Sequence, residues 1–323
     1  MSINMAQQAT LDPPLPTELI YQFPHPTWIE NLAIRKNGQI LVTLLTTPEL
    51  FLVDPSNAAR SILVHKFPDV LGLTGIIEVK DDVFYVAGGN FNLSEFSNEQ
   101  GSYTVWEVDL TSFDTNSEAK VRKVAKIAES GLLNGMAYCG ALPDTILIAD
   151  SEVGAVWKVN VDTGKYEIMI QVDEMKPPPP PAVQMGINGI DVRDGYLYWT
   201  NTAKELVCRI KIDGEGKATG DAEPIATNCL VDDFTFDRKG QLWLAQNFWN
   251  TVAVINLDSE VLGVAGNKDQ LTVAGGTSCQ FGRMVKDQHI LYVTTCGGLA
   301  SPVNGVSTEG GKVVAIDTSK FGS

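Results

Sequence analysis

The sequence predicts an all-β protein, a six-bladed β-propeller, on two observations. A unit of about fifty residues recurs along the 323-residue chain, and each copy holds three or four short strands rich in β-branched and aromatic residues. Gly, Pro-Asp and Asp-Gly turns separate these strands, and helical periodicity is nearly absent. Repeats of this length that are built from strands indicate propeller blades rather than a sandwich.

The six units follow one another along the chain. The first begins at 29 (IENLAIRKNGQILVTLL), and a looser second begins at 73 (LTGIIEVKDDVFYVAGGN). The three clearest copies begin at 133 (LNGMAYCGALPDTILIAD), 187 (INGIDVRDGYLYWTN) and 231 (VDDFTFDRKGQLWLAQN). A second looser copy begins at 279 (CQFGRMVKDQHILYVTTCGG) and completes the set.

The segment ELIYQFP (18–24) reads as a strand but belongs to none of these units. We expect it to form the outer strand of the last blade, which closes the ring between the N- and C-terminal strands and removes free sheet edges. The predicted organisation is therefore a flexible N-terminal segment over 1–17 and a single propeller domain over 18–323.

Composition limits the class of protein. Apolar residues make up 44% of the chain and charged residues 20%, and no apolar run reaches the ~18 residues of a membrane span. The N-terminal residues show no secretion signal, which predicts a cytoplasmic protein. A net charge of −15 disfavours nucleic acid and anionic membrane and fits a neutral, apolar or cationic partner. The expected partner is a small apolar or aromatic substrate. Five scattered cysteines are expected to be free thiols.

In a propeller, the innermost strands begin at the face of the central channel where the second strands end. Aligning the copies places two sets of residues there. The first set is Glu30, Thr74, Asn134, Asn188, Asp232 and Phe281. The second set, with a margin of one or two residues, is Leu45, Gly88, Asp150, Asn201, Asn247 and Thr295. Four members of the first set carry side-chain oxygens that suit a hard divalent cation such as Ca²⁺; alternatively, they are turn residues that bond their own backbone.

The chain resembles the SMP-30/gluconolactonase/LRE-like family of six-bladed propellers, whose divalent metal is held by Glu, Asn, Asn and Asp from the first, third, fourth and fifth blades. The matching positions are Glu30 in WIENLAI, Asn134 in LNGMA, Asn188 in INGIDV and Asp232 in VDDFTFDRKGQLWLA. Sugar-lactone hydrolases of that family carry an arginine two residues before the third-blade Asn, where this chain has Leu132.

Within that family, the stretch TWIENLAIRKNGQILVTLLTTPELFLVDP resembles a fungal branch of secondary-metabolite enzymes that includes hetero-Diels-Alderases. This resemblance implies a pericyclase of meroterpenoid biosynthesis. Such an enzyme joins an o-quinone methide, derived from a tropolone or a benzenoid, to a humulene-type terpene. The reaction requires no cofactor, because it depends on holding both partners in a near-attack pose.

Three functional hypotheses follow. For the pericyclase, Trp28, Leu132 and Phe281 would form an apolar mouth. The residues expected to orient the oxygenated partner are Asn188, Asn201, Asn247 and Asp232, and Asp150 is expected to bind substrate or to act as an acid or base. The predicted catalytic group is Asp232, Asp233, Asn188 and Glu30. The alternative is a metal-dependent lactonase or esterase that uses the cation, and the third hypothesis is a non-catalytic propeller that binds a protein. The long loop over 88–102 is expected to cover the mouth, and the proline run over 176–182 to narrow it.

Overall fold

The computed structural model describes residues 8–57, 60–113, 119–180, 182–255 and 260–321. Six blade sheets are arranged as a β-propeller, which confirms the predicted fold class. The strands, in chain order, are β1 Ala9–Thr10, β2 Thr17–Gln22, β3 Ile29–Ile34, β4 Ile40–Leu44, β5 Glu49–Val53, β6 Ser61–Lys66, β7 Gly72–Lys80, β8 Val83–Gly89, β9 Phe91–Asn92, β10 Ser97–Asn98, β11 Thr104–Asp109, β12 Lys120–Lys126, β13 Leu133–Tyr138, β14 Thr145–Asp150, β15 Ala155–Asn160, β16 Tyr166–Ile170, β17 Ile187–Arg193, β18 Tyr196–Asn201, β19 Leu206–Lys211, β20 Glu223–Thr227, β21 Phe234–Phe236, β22 Leu242–Gln246, β23 Thr251–Ile255, β24 Val261–Gly266, β25 Gly276–Phe281, β26 Ile290–Thr295 and β27 Lys312–Asp317.

Blades one to five are the consecutive groups β3–β6, β7/β8/β11/β12, β13–β16, β17–β20 and β21–β24. One-turn 3₁₀ segments lie at Pro55–Asn57, Asp173–Met175 and Asn247–Trp249. No helix among the described residues has the length and apolar character needed to cross a bilayer.

Burial falls from the inner to the outer strand of a blade. All six residues of β3 (IENLAI) are buried, whereas β6 (SILVHK) in the same sheet has none that is fully buried. Inner strands lie between two neighbouring blades and are apolar along most of their length, while outer strands face water on one side. Hydrophobic clusters accordingly lie between adjacent blades, with side chains of blades one and two, three and four, and four and five packed together.

The ring closes through the N-terminal strand, as the sequence predicts. Strand β2 is the outer strand of blade six and pairs antiparallel with β27, with Thr17 opposite Ile316 and Gln22 opposite Lys312. Blade six therefore contains one strand from the start of the chain and three from its end. This pairing joins the start of the chain to its end and closes the ring, while β2 remains the outermost strand of its sheet.

The predicted flexible segment over 1–17 lies partly outside the described residues, which begin at residue 8. From there the backbone follows blade five: β1 pairs parallel to β24, and Leu15 N donates to Val264 O at 2.8 Å. The Leu15 side chain is buried in the cluster that contains Trp243. Residues 8–17 thus connect blade five to blade six before the ring of six units begins.

Candidate functional site

One face of the ring carries a pocket at the mouth of the central channel. The empty space at this mouth, counted together with the part that is open to solvent, amounts to about 410 Å³. Five of the six blades contribute lining side chains, which are Trp28, Glu30, Leu45, Thr74, Phe91, Phe96, Leu132, Asn134, Met185, Asn188, Asp232, Asn247 and Phe248. The pocket therefore lies where the sequence predicted that polar side chains from separate blades would converge.

The polar floor is built from a contact that recurs in blades three and four. Near the start of the innermost strand, Asn134 and Asn188 donate through Nδ2 to the hydroxyl of the residue that follows the second strand. Asn134 reaches Ser151 Oγ at 3.3 Å, and Asn188 reaches Thr202 Oγ1 at 3.0 Å. In blade five the direction is reversed, and Asn247 Nδ2 donates to Asp232 Oδ2 at 2.8 Å. The repeated blade geometry thus places a polar pair at the channel in each of blades three, four and five.

Asp232 is the centre of this floor. Asn188 Nδ2 donates to its Oδ1 at 2.6 Å, so that each carboxylate oxygen accepts an amide hydrogen. Burial raises the pKa of Asp232 to about 7, the amide hydrogen bonds of Asn247 and Asn188 oppose the rise, and the charge of Asp233 adds to it. Asp232 therefore changes its protonation state near neutral pH.

Glu30 lies in the same pocket with fewer hydrogen-bond donors. Trp28 Nε1 donates to Glu30 Oε2 at 2.5 Å. Burial raises the pKa of Glu30 well above its usual value, and the negative charge of Asp232 raises it further. Burial and the neighbouring carboxylate thus both favour the protonated form of Glu30.

The walls of the pocket are apolar and come partly from loops. Phe91 and Phe96 belong to the small hairpin of β9 and β10, and their rings meet edge to face with centroids 5.3 Å apart. Met185 comes from the segment before β17, and Phe248 from the 3₁₀ turn after β22. Sequence reasoning missed these four side chains, although the length of the 88–102 loop marked the first two as part of a cover.

Seven of the predicted site residues line the pocket: Trp28, Glu30, Leu132, Asn134, Asn188, Asp232 and Asn247. Four others, Asp150, Asn201, Asp233 and Phe281, are not in its lining. Each of these four has a structural partner that accounts for its position.

Asp150 was expected to bind substrate but is fully buried as a hydrogen-bond acceptor within blade three. Its Oδ1 accepts the backbone N–H groups of Leu132, Glu152 and Val153 at 3.0, 3.3 and 3.1 Å. Its Oδ2 accepts Gly131 N at 3.0 Å and Trp157 Nε1 at 2.9 Å. Five donors occupy the carboxylate, which leaves it without capacity for a ligand.

Asn201 holds the loop before blade four. Its Nδ2 donates to the backbone oxygens of Glu174 and Lys176 at 2.8 and 3.0 Å, and its Oδ1 accepts Lys204 N at 3.0 Å. This contact fixes the start of the proline run, of which residue 181 lies outside the described residues. Asn201 therefore acts on the pocket only through the loop that carries Met185.

Asp233 points away from the pocket, because side chains alternate along a strand. It accepts Ser278 Oγ at 2.8 Å and Asn31 Nδ2 at 3.1 Å, which ties blades one, five and six together. Its pKa is raised by burial and held back by the hydrogen bond from Ser278. The predicted catalytic contribution of Asp233 at the channel mouth thus has no direct contact to support it.

The expectation that Phe281 begins the innermost strand of blade six is wrong. That strand is β25, which begins at Gly276 and ends at Phe281, so Phe281 lies toward the opposite face and packs edge to face on Trp243 at 5.5 Å. The residue equivalent to Glu30 is Thr277, whose Oγ1 donates to Ile29 O at 2.8 Å. The glycine pair at 275–276 looks like a turn in the sequence and concealed the start of the strand.

The side chains of the floor are of the types that bind a hard cation, but their oxygens are not oriented to bind one. Glu30, Asp232, Asn134 and Asn188 bring two carboxylates and two amides to one pocket. However, Asn188 turns its nitrogen toward Asp232, and the oxygens of Asp232 are already paired with amide hydrogens. Among the described residues, no group of three or more His, Cys, Asp or Glu side chains could hold a metal ion.

Comparisons with known proteins add two curated relatives. The chain is 32% identical over 309 residues to the "Putative hetero-Diels-Alderase" of Phoma sp, a match that covers 87% of each chain. It is 30% identical over 349 residues to the "Putative hetero-Diels-Alderase asR5" of Sarocladium schorii, covering 95% of this chain and 85% of the relative. No protein-family model matches the chain.

Solved structures share the fold at lower identity. A luciferin-regenerating enzyme superposes with a TM-score of 0.67 at 14% identity, covering 95% of this chain and 96% of the other. Regucalcin from Agrobacterium tumefaciens, a calcium-binding protein, superposes with a TM-score of 0.66 at 14% identity, covering 94% of each chain. At this identity the likeness shows a common propeller fold and no more.

Proposed function

The chain belongs to the hetero-Diels-Alderase family of its two curated relatives, and on that premise we propose that it is a pericyclase of fungal secondary metabolism. The proposed reaction adds an o-quinone methide, derived from a tropolone or a benzenoid, across a C=C bond of a humulene-type terpene. One C–C bond and one C–O bond form together, and no atom is lost. The pocket at the channel mouth is the proposed site.

The observation that supports this proposal best is the division of the pocket into two surfaces. Aromatic and aliphatic side chains from the β9–β10 hairpin and from the blade segments at the channel mouth form the walls. Amides and carboxyls, most of them from the innermost strands, form the floor. A hydrocarbon ring gains from contact with the walls, and an oxygenated ring gains from hydrogen bonds at the floor. This division supports the proposal, because each reactant would have its own surface and the two would meet in one pocket.

Holding two reactants in one geometry can account for most of the required acceleration. A well-oriented pair can recover ~7–11 kcal/mol of the barrier, because the entropy of bringing the partners together has already been lost. Such a reaction needs no nucleophile. The shape of the walls and the placement of a few hydrogen bonds determine its rate and its stereochemistry.

We assign the role of general acid to Glu30. Because burial favours its protonated form, its carboxyl can donate a hydrogen bond to the oxygen of the quinone methide, and this draws electron density from the diene as the C–O bond forms. The same proton can assist the departure of water when the quinone methide is generated from a hydroxymethyl precursor. Asp232, with its pKa near 7, is the matching base.

The charge of the lining favours neutral reactants. The ionisable side chains that line the pocket are Glu30 and Asp232, both of them acids. An anion would meet repulsion there without a cationic side chain in the lining to offset it. The proposed terpene is accordingly a hydrocarbon or an alcohol rather than a diphosphate.

A metal-dependent lactonase or esterase is the alternative, and the oxygen-bearing floor is the observation that favours it. In that case Glu30, Asn134, Asn188 and Asp232 would hold a divalent cation, which supplies Lewis acidity. Leu132 and the aromatic walls disfavour a polyhydroxylated lactone, because its hydroxyl groups would lack partners in the pocket. The cycloaddition itself uses no cofactor.

To test the proposal, the purified protein is incubated with humulene and an o-quinone methide precursor. The rate of adduct formation and the enantiomeric ratio of the adduct are compared with those of the uncatalysed reaction. We expect one enantiomer in excess and a rate that falls about tenfold or more in Phe96→Ala, which removes part of the wall. Ile168→Ala is the control, because that exposed apolar side chain lies on the outer strand of blade three. A racemic adduct at the background rate would contradict the proposal, and lactone turnover abolished by EDTA would establish the alternative.

A further inference from the structure

Tyr103 carries a buried hydroxyl that the proposed mechanism does not yet use. The residue precedes β11 and is fully buried, and its hydroxyl has no hydrogen-bond partner among the described residues. A buried donor without a partner lowers stability, so its presence calls for an explanation.

The ring of Tyr103 lies directly behind the pocket wall. It belongs to the same hydrophobic cluster as Trp28, Leu45 and Leu132, which line the pocket. The ring rests on the backbone of Gly89, where an added Cβ would come within 2.6 Å of ring atoms. Glycine at this position lets the aromatic ring come close to the channel.

The charges of three carboxylates act on the Tyr103 hydroxyl. Burial raises the pKa of Tyr103 well above its usual value, and the charges of Glu30, Asp150 and Glu152 raise it further, in that order. Asp150 is already occupied by five donors, and Glu152 Oε2 accepts Asn98 Nδ2 at 2.5 Å. Glu30 has its one side-chain hydrogen bond at Oε2, from Trp28. Tyr103 shares a cluster with Trp28, the donor to Glu30, and among the described residues Glu30 Oε1 has no hydrogen bond while the Tyr103 hydroxyl has no acceptor.

We propose that Tyr103 is a positioning residue for Glu30: when a hydroxyl-bearing ligand fills the pocket, the Tyr103 hydroxyl donates to Glu30 Oε1 while Trp28 Nε1 holds Oε2. Two donors on opposite oxygens fix the plane of the carboxyl and direct it at the oxygen of the ligand. This inference rests on the proposed function, because the proposed function supplies the ligand toward which the Glu30 carboxyl is directed. Tyr103 itself stays behind the wall and does not touch the ligand.

The experiment measures tropolone affinity by calorimetry in the wild type, Tyr103→Phe, Glu30→Gln and the double variant. We expect Tyr103→Phe to weaken binding about tenfold, as for the loss of one hydrogen bond to an ionisable group. In the Glu30→Gln background the same change should alter affinity by less than about twofold, because residues that act through one another are not additive. The melting temperature of Tyr103→Phe should equal or exceed that of the wild type.

Tyr85→Phe is the matched control in the same blade, since its hydroxyl donates to Glu107 Oε2 at 2.9 Å and lies away from the pocket. It should lower the melting temperature and leave tropolone affinity unchanged. Equal affinity in the wild type and Tyr103→Phe would overturn the inference alone. Equal weakening in both backgrounds would also overturn it, because Tyr103 would then act without Glu30. Absence of tropolone binding by the wild type would remove the proposed function, and this inference with it.

Discussion

Asp150→Asn is expected to destabilise the fold by about 3–6 kcal/mol, since two hydrogen bonds to a buried carboxylate are lost at roughly 1.5–3 kcal/mol each. The carboxylate accepts three donors at Oδ1 and two at Oδ2. An Asn side chain keeps one acceptor oxygen, so its NH₂ group must face at least two N–H groups. Those donors lie in the buried turns that shape blade three, where water cannot replace the lost acceptor.

The assay is urea unfolding followed by tryptophan fluorescence, together with kinetics on the folded protein at low temperature. Stability should fall while kcat of the folded fraction changes less than about twofold, because Asp150 does not line the pocket. Asp162→Asn is the control, an acid in an exposed turn of the same blade. A loss below about 1 kcal/mol would refute the assignment of Asp150 as a structural acceptor. A loss of kcat at unchanged stability would restore its predicted contact with substrate.

Three further results are expected. Trp28→Phe removes the indole N–H from Glu30 and should lower kcat/KM about tenfold with a small change in melting temperature, and unchanged kinetics would count against the assignment of Glu30. Asp191 is half-buried with its pKa raised by burial to about 6, so the unfolded chain loses this proton first and stability falls as the pH rises from about 4 to 6. The free energy of unfolding, measured by urea titration, should fall between pH 4 and pH 7 by roughly 2 kcal/mol less in Asp191→Asn than in the wild type, after allowance for solvent screening. An equal fall in both proteins would refute this prediction. Elemental analysis after purification in calcium should find at most one divalent ion per chain, lost in Asp232→Ala, and a metal-free active protein would end the cation proposal.

The ring could be predicted from the sequence because equivalent positions recur in each repeated unit and can be aligned. The number of strand-rich units gives the number of blades. The strand near the start of the chain belongs to no unit, and the last blade is the one that it can complete. Positions at the second residue of an innermost strand, such as Glu30, Asn134 and Asn188, could be aligned for the same reason. Alignment failed in blade six, where a glycine pair replaced the apolar start of the strand.

A shift of one residue explains the rest of the error in the floor. The second strands of blades three and four end at Asp150 and Asn201, which point into the blades, while the residues that follow, Ser151 and Thr202, face the channel. In blade five the strand ends at Gln246, so Asn247 is the channel residue. Because strand side chains alternate between faces, one position decides between a structural and a functional contact. The walls could not be aligned at all, since loops do not repeat between blades.

Ring closure by β2 also bears on how the protein is made. Gln22 pairs with Lys312, so the outer strand of blade six leaves the ribosome about 290 residues before its partner. At roughly 5–20 residues per second, that strand waits about 15 to 60 s without its sheet. Blades one to five can assemble during synthesis, but the channel is enclosed on all sides only after the last strand emerges. The pocket is therefore a late product of translation, and the nascent chain spends that interval with an unpaired edge open to chaperones.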